Sequence, residues 1–307
     1  MLAAMRLVTY IPRGVGAAEP RLGAMTDAGI VDVEAGDGAR AGDMLQALAS
    51  IGGVAGLRPV AGGAARPLAE VRLLAPLPRP PSFRDFMAFE KHVRNARARR
   101  GLEIPDAWYE TPVFYYSNAA AIRGPEDPVW APPGSAELDF EFEVAAVIGK
   151  GGIDIPREQA FEHVAGLTIL NDWSARDLQM KEMPVLLGPA KGKDFATTIG
   201  PWLLTFDELH DRILGEHIDL AMTARLNGQE RTSGNLDDLH HAIPSLIAHA
   251  SAGVELFPGD VLGTGTLGGG CLLEDPDPRY LQPGDMVELE VERLGVLRTE
   301  VVARPGL

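Results

Sequence analysis

Short apolar runs broken by glycine and proline fill most of the chain, and few stretches hold a helical period for long. The run Met1-Leu-Ala-Ala-Met-Arg-Leu-Val-Thr-Tyr10, interrupted by Arg6, reads as a first β-strand, and Gly29-Ile-Val-Asp-Val-Glu34 as another. Asp43-Met-Leu-Gln-Ala-Leu-Ala49 predicts a short helix opened by an Asp cap. Val71-Arg-Leu-Leu-Ala75 is a further strand. After it, Pro76-Leu-Pro-Arg-Pro-Pro81 is too rich in proline for regular structure and reads as a linker. The expected organisation is a small N-terminal β-rich domain, residues 1–75, followed by a larger domain, residues 76–307.

In the larger part, Asp85 to Arg100 has helical character and stops before Gly101 and Pro105. From Pro112 to Ile148 strand-like runs alternate with Pro/Gly turns. The last of them, Leu138-Asp-Phe-Glu-Phe-Glu-Val-Ala-Ala-Val-Ile148, begins by alternating apolar and polar residues, the period of a half-buried strand. Pro156 to Val164 predicts a helix, Leu167 to Asp172 a buried strand, and Leu236 to Ala250 a helix among the strands of the last third. The fold class is mainly β, of α+β type, with a few covering helices.

Composition narrows the function classes. The 307 residues carry a formal net charge of -15, which argues against nucleic-acid partners, whose binding proteins show a basic face. An anionic substrate would need a locally positive pocket. The lone Cys271 rules out an intrachain disulfide and a multi-cysteine zinc site, and fits a reducing compartment. The N-terminus lacks a signal-peptide pattern, and no run approaches the roughly 20 apolar residues that span a bilayer. The expectation is a soluble, cytoplasmic protein without a membrane partner.

Glu141 and Glu143 stand two residues apart, so on a strand both point to one face. Two like charges there repel unless a cation lies between them or the face is solvated. Asp172 closes a mostly apolar strand, a poor place for an unpaired charge, although a lone Asp there also reads as a cap. If the three converge, they make an oxygen-ligand site for Mg2+, Mn2+ or Ca2+. His240-His241 is a poor zinc site, because sequence neighbours rarely ligate one ion. Cys271 has no recognisable base pattern around it. The run Gly263-Thr-Gly-Thr-Leu-Gly-Gly-Gly270 lacks the Gly-Lys-Ser/Thr ending of a phosphate loop and reads as a tight substrate-lining loop.

Five segments carry a resemblance in order along the chain: Phe83-Arg-Asp-Phe-Met-Ala-Phe-Glu-Lys-His92, Leu138-Asp-Phe-Glu-Phe-Glu143, Asn171-Asp-Trp-Ser-Ala-Arg-Asp-Leu-Gln179, Gly188-Pro-Ala-Lys-Gly-Lys-Asp-Phe195 and Gly263-Thr-Gly-Thr266. Together they resemble the successive motifs of the fumarylacetoacetate hydrolase family, from about Pro76 to the C-terminus. The resemblance implies a mixed β-roll catalytic domain of the fumarylacetoacetase C-terminal type and a homodimer. It implies metal ligands at Glu141, Glu143 and Asp172, with Asp85 a further one. It also implies a catalytic His92 paired with Glu274. Arg176, Gln179 and Lys193, with backbone groups of Gly265 and Thr266, would bind the anion and stabilise an oxyanion, and Tyr115 would touch the substrate. Met87 stands where the fumarylacetoacetase branch has a tyrosine. Asn95 stands where the acylpyruvase and decarboxylase branch has the Glu of a His-x-x-Glu pair, which favours a hydrolase-like pair here.

The implied activity is Mg2+-dependent (or Mn2+- or Ca2+-dependent) hydrolysis of a C–C bond in a small anionic 1,3-dicarbonyl acid, acylpyruvate- or fumarylacetoacetate-like. Two other readings stand beside it: an isomerase or decarboxylase of 2-oxo-dienoic acids from aromatic catabolism, and a non-catalytic metal- or ligand-binding relative.

Overall fold

The computed structural model describes residues 5–14, 19–34, 43–51, 54 and 56–306. β1 (Arg6–Pro12), β2 (Arg21–Thr26) and β3 (Gly29–Glu34) form an antiparallel meander. Helix α1 (Met44–Ile51) follows, and Asp43 Oδ1 accepts the N–H of Gln46 at 2.8 Å as the sequence cap predicts. β4 (Val71–Leu74) pairs with Thr9–Pro12 of β1, ahead of an irregular Pro76–Pro81.

Next come β5 (Phe83–Phe86), α2 (Glu90–Ala98), β6 (Phe114–Tyr116), β7 (Phe142–Ile148), β8 (Val164–Asp172) and α3 (Arg176–Glu182). The chain ends with β9 (Thr197–Thr205), β10 (Ala221–Leu226), β11 (Gln229–Asn235), α4 (Ile243–Ser251), β12 (Val261–Gly263), β13 (Met286–Val291) and β14 (Gly295–Glu300). One large mixed sheet runs β3-β2-β1-β9-β8-β7-β12-β5-β6, so the N-terminal strands join the rest through the β1–β9 pair. A four-stranded antiparallel sheet, β11-β10-β13-β14, is separate.

The large sheet is covered on both faces, which is why β7 and β8 are nearly continuous apolar runs. Phe142, Val144, Ala146 and Ile148 pack with Ile243, Leu246, Val287 and Leu297. Ala145, Val147 and Leu170 pack on the other face with Leu7, Leu22, Leu48 and Phe83. Strand parity then places the acids. Glu143 shares a face with Ala145, Asp172 with Leu170, and Asp85 with Phe83. Three carboxylates thus project from one face at neighbouring strand ends, toward the side covered by the N-terminal segment.

Several predicted elements differ. Asp85 lies in a strand, and the helix begins only at Glu90, because Phe83–Asp85 pairs in parallel with Val261–Gly263. The expected strand over 138–148 is interrupted: Leu138–Asp139 pairs with Ser174–Ala175, and β7 starts at Phe142. Arg157–His163 is 3-10 rather than α, and the expected helix over 236–250 is a 3-10 turn, Leu236–Asp238, then α4. Asn235 caps that turn, and Pro244 sits in the first turn of α4, where its missing N–H costs nothing. Among the described residues no helix is long and apolar enough to cross a membrane.

Candidate active site

Oxygens of Asp85, Glu143 and Asp172 lie within 4.8 Å of one another, and all three side chains are buried. What lets them meet is Gly263, which is flanked by both β5 and β7. A Cβ added there would fall 2.5 Å from Asp85 Oδ1 and 3.0 Å from Glu143 Oε2. Gly263→Ala is therefore expected to push Asp85 out of the group and weaken divalent-cation binding by about tenfold or more, as titration calorimetry would measure.

The electrostatics of this group call for positive charge. Burial and then Asp172 raise the Asp85 carboxyl well above its ordinary range; burial and then Asp85 do the same to Glu143. Asp172 is also raised, by burial first, although Lys193 opposes the shift. Asp85 Oδ1 is buried with no hydrogen-bond partner. Tyr115 donates to Asp85 Oδ2 at 3.1 Å and closely to Asp172, so it ties two of the acids together. Five buried carboxylates, Asp85, Asp139, Glu141, Glu143 and Asp172, share this region with two buried cations, Arg176 and Lys193. Excess buried negative charge is costly, and an all-oxygen donor set suits a hard divalent ion. The residues fit such an ion.

Glu141 lies beside this trio and is already paired. Arg176 Nη2 donates to its Oε1 at 2.8 Å, and Lys193 Nζ bridges its Oε2 and Asp172 Oδ2, the latter at 2.6 Å. Burial opposes ionisation of Glu141, but Lys193, Arg176 and then His92 outweigh it and hold the carboxyl far below its ordinary range. Lys193 is held up as a cation by Asp172 and Glu141 against its burial.

Arg176 is engaged by neighbouring side chains. Its nitrogens donate to Asp139 Oδ2 at 2.8 Å, Gln179 Oε1 at 3.0 Å and Glu141, so three of the guanidinium's five N–H donors are held by protein acceptors. Gln179 is correspondingly engaged through its side-chain oxygen. Gly265 likewise gives its N–H to Glu143 Oε2 at 2.9 Å, and Thr266 is buried beside it.

His92, on α2, places Nδ1 at 2.7 Å from Glu274 Oε1. The other oxygen of Glu274 accepts from Asn95 Nδ2 and, at 2.9 Å, from the N–H of Gly269. His92 and Asn95 are three residues apart on one helix face, so both reach the same carboxylate. The Gly-rich run thus uses N–H groups to hold two acids, at Gly265 and Gly269.

Sequence reasoning missed Asp139. Fully buried, it accepts from Arg176 and also from the N–H groups of Leu272, at 2.8 Å, and Leu273, at 3.0 Å. It therefore joins the Arg176 network to the turn that carries Glu274. Its only signal was its place as one more acid in the alternating run that also holds Glu141 and Glu143. Asp139→Ala is expected to cost about 3–5 kcal/mol by leaving a buried guanidinium partly unpaired, read from urea unfolding.

The remaining candidates serve structure. His241 Nε2 lies 2.7 Å from the Trp108 carbonyl, and His163 Nδ1 lies 2.7 Å from that of Lys150. Burial, then Asp139, raises the Cys271 thiol, which argues against a standing thiolate nucleophile. Met87 is substantially exposed.

Comparison with known proteins identifies the family. The family model described as Fumarylacetoacetate (FAA) hydrolase C-terminal matches residues 82–302. The human protein named Oxaloacetate tautomerase FAHD2A, mitochondrial, is 38% identical over 239 residues, covering 77% of this chain and 71% of the relative. Fumarylacetoacetate hydrolase from psychrophilic Exiguobacterium antarcticum matches with a TM-score of 0.77 and 26% identity, over 98% of this chain and 100% of its own. Maleylpyruvate hydrolase from Sphingobium sp. SYK-6, solved with manganese(II) ion and pyruvate, matches with a TM-score of 0.69 and 26% identity over the same shares.

Proposed function

This chain belongs to the fumarylacetoacetate hydrolase family of enzymes, and from that premise we propose that it hydrolyses a C–C bond in a small 1,3-dicarbonyl acid of the acylpyruvate or fumarylacetoacetate type. The observation that carries the reading is the 2.7 Å His92–Glu274 pair, whose imidazole acts on the carboxyl of Glu141, the acid that Lys193 bridges to Asp172. Asp85, Glu143 and Asp172 would hold a divalent cation, with Glu141 the neighbouring fourth acid. Mg2+ is our first choice and Mn2+ or Ca2+ the others. When bound, such an ion would act as a Lewis acid toward the two oxygens of a 1,3-dicarbonyl acid.

The protein's own groups account for the proton movements. Glu274 accepts a hydrogen bond at His92 Nδ1, which fixes the tautomer and leaves Nε2 to take a proton from water. The water oxygen then bonds to the acyl carbon. An ammonium has three donors; Lys193 gives two to Glu141 and Asp172, and the third remains for the oxygen that becomes negative. As the C–C bond breaks, its electron pair passes to the departing enolate carbon, which takes the proton back from His92. Tyr115 orients two of the acids and lines the substrate side. Arg176 and Gln179 act by holding Glu141 in place. A homodimer is part of this reading.

The relative named an oxaloacetate tautomerase favours a second reading, in which the same acids and His92 move a proton on a 2-oxo acid and water is not consumed. A panel of acylpyruvates, fumarylpyruvate and oxaloacetate, assayed with Mg2+ or Mn2+ against a chelator, separates the two. Cation-dependent formation of two acids supports hydrolysis. Tautomerisation of oxaloacetate with no cleavage of any acid sinks it.

A further inference from the structure

A second cluster of potential ligands stands at the His92–Glu274 pair. His92, Cys271 and Glu274 each offer a donor atom, and these atoms lie within 4.8 Å of one another. Cys271 Sγ lies 3.6 Å from Glu274 Oε1, the same oxygen that His92 Nδ1 approaches at 2.7 Å. The set is one nitrogen, one sulfur and one oxygen, unlike the all-oxygen trio of Asp85, Glu143 and Asp172. Mixed donors of this kind select a borderline transition ion such as Zn2+ and reject Mg2+.

We propose that His92 Nδ1, Cys271 Sγ and a Glu274 oxygen form a second, inhibitory cation site for Zn2+ or an ion of similar softness. With zinc bond lengths and a tetrahedral angle, a sulfur and an oxygen ligand stand about 3.6 Å apart, and a nitrogen and an oxygen about 3.4 Å apart. The Sγ–Oε1 edge already has that length. The His92–Glu274 edge opens by a fraction of an ångström as the ion replaces the hydrogen bond. Outer support is present, because Asn95 and the Gly269 N–H hold the second oxygen of Glu274.

Binding releases the Cys271 thiol proton to solvent and leaves a thiolate on the ion. Ligation through Nδ1 moves the imidazole proton to Nε2. The nitrogen that must accept a proton in turnover then already carries one, and Glu274 is no longer its partner. The inhibitory consequence rests on the role proposed for His92; the binding site itself does not.

Mg2+-saturated protein titrated with Co2+ tests the site through the sulfur-to-cobalt charge-transfer absorption. The expected result is a band that saturates at one equivalent per chain, is absent from Cys271→Ser and from Cys271→Ala, and is removed by Zn2+. Turnover in excess Mg2+ then falls as Zn2+ is added, and either Cys271 variant needs about tenfold more Zn2+ or beyond for the same inhibition. No thiolate band in the parent protein overturns the site. A band together with equal Zn2+ sensitivity in parent and variants overturns its control of His92. Because the absorption needs no turnover, failure of the hydrolase reading leaves a different signature: the band without any activity to inhibit.

Discussion

His92→Ala is expected to lower turnover by about 10²–10⁴-fold while leaving the affinity for the divalent cation nearly unchanged, since general-base catalysis contributes factors of that size. His92 is on α2, and its imidazole is tethered through Nδ1 to a carboxylate that Asn95 and Gly269 hold from the other side. None of these groups belongs to the Asp85–Glu143–Asp172 trio. Steady-state kinetics alongside calorimetric cation titration makes the check. A parallel loss of both would mean that His92 supports the acid cluster rather than the reaction. Glu274→Gln acts through His92, so its loss is expected to be no larger.

Removing the divalent cation with a chelator is expected to abolish turnover and to change how stability depends on pH. The folded-state carboxyls of Asp85 and Glu143 are raised by burial and by their neighbours. A group whose folded pKa is raised keeps more protons in the folded than in the unfolded state. The stability it contributes is full below the unfolded pKa and is lost as pH rises through the raised folded value. Chelated protein should therefore lose thermal stability as pH climbs out of the ordinary carboxylate range. Protein with the cation restored should show a flatter profile, and at about 100 times Kd the ion adds about 2.7 kcal/mol. Glu143→Gln removes one of the repelling charges. It is expected to make the chelated protein more stable at neutral pH while eliminating cation-supported turnover. Melting curves across pH, with and without cation, measure both effects, and identical slopes in the two states would argue against a common cation site.

Much of this was legible in the sequence because the informative charges sit where charge is out of place. Asp172 closes an apolar strand, and Glu143 interrupts an apolar run, so each required a partner. The family motifs added Asp85, His92, Lys193 and Glu274, and the structure brings His92 against Glu274 although 182 positions separate them. What stayed hidden depends on pairings distant in sequence. Asp85 looked helical because Phe83–Phe86 is too short to declare a strand; its conformation is set by Val261–Gly263. Gly263 read as part of a glycine-rich loop and a family motif, and its own part showed only once its neighbours were the side chains of Asp85 and Glu143. Arg176 carried no visible partners, and only the folded chain supplies Asp139, Glu141 and Gln179, which take three of its five N–H donors. Asn95, marked in the sequence as an absent glutamate, turns out to grip Glu274.

The most direct measurement is turnover of an acylpyruvate in 18O-enriched water with Mg2+ present, with the products analysed by mass. The account predicts one 18O atom in the new carboxylate of the acyl product, formed with the enol's disappearance and lost in His92→Ala. Enol–keto conversion with no cleavage and no label in any carboxylate would contradict it and make this family member a tautomerase.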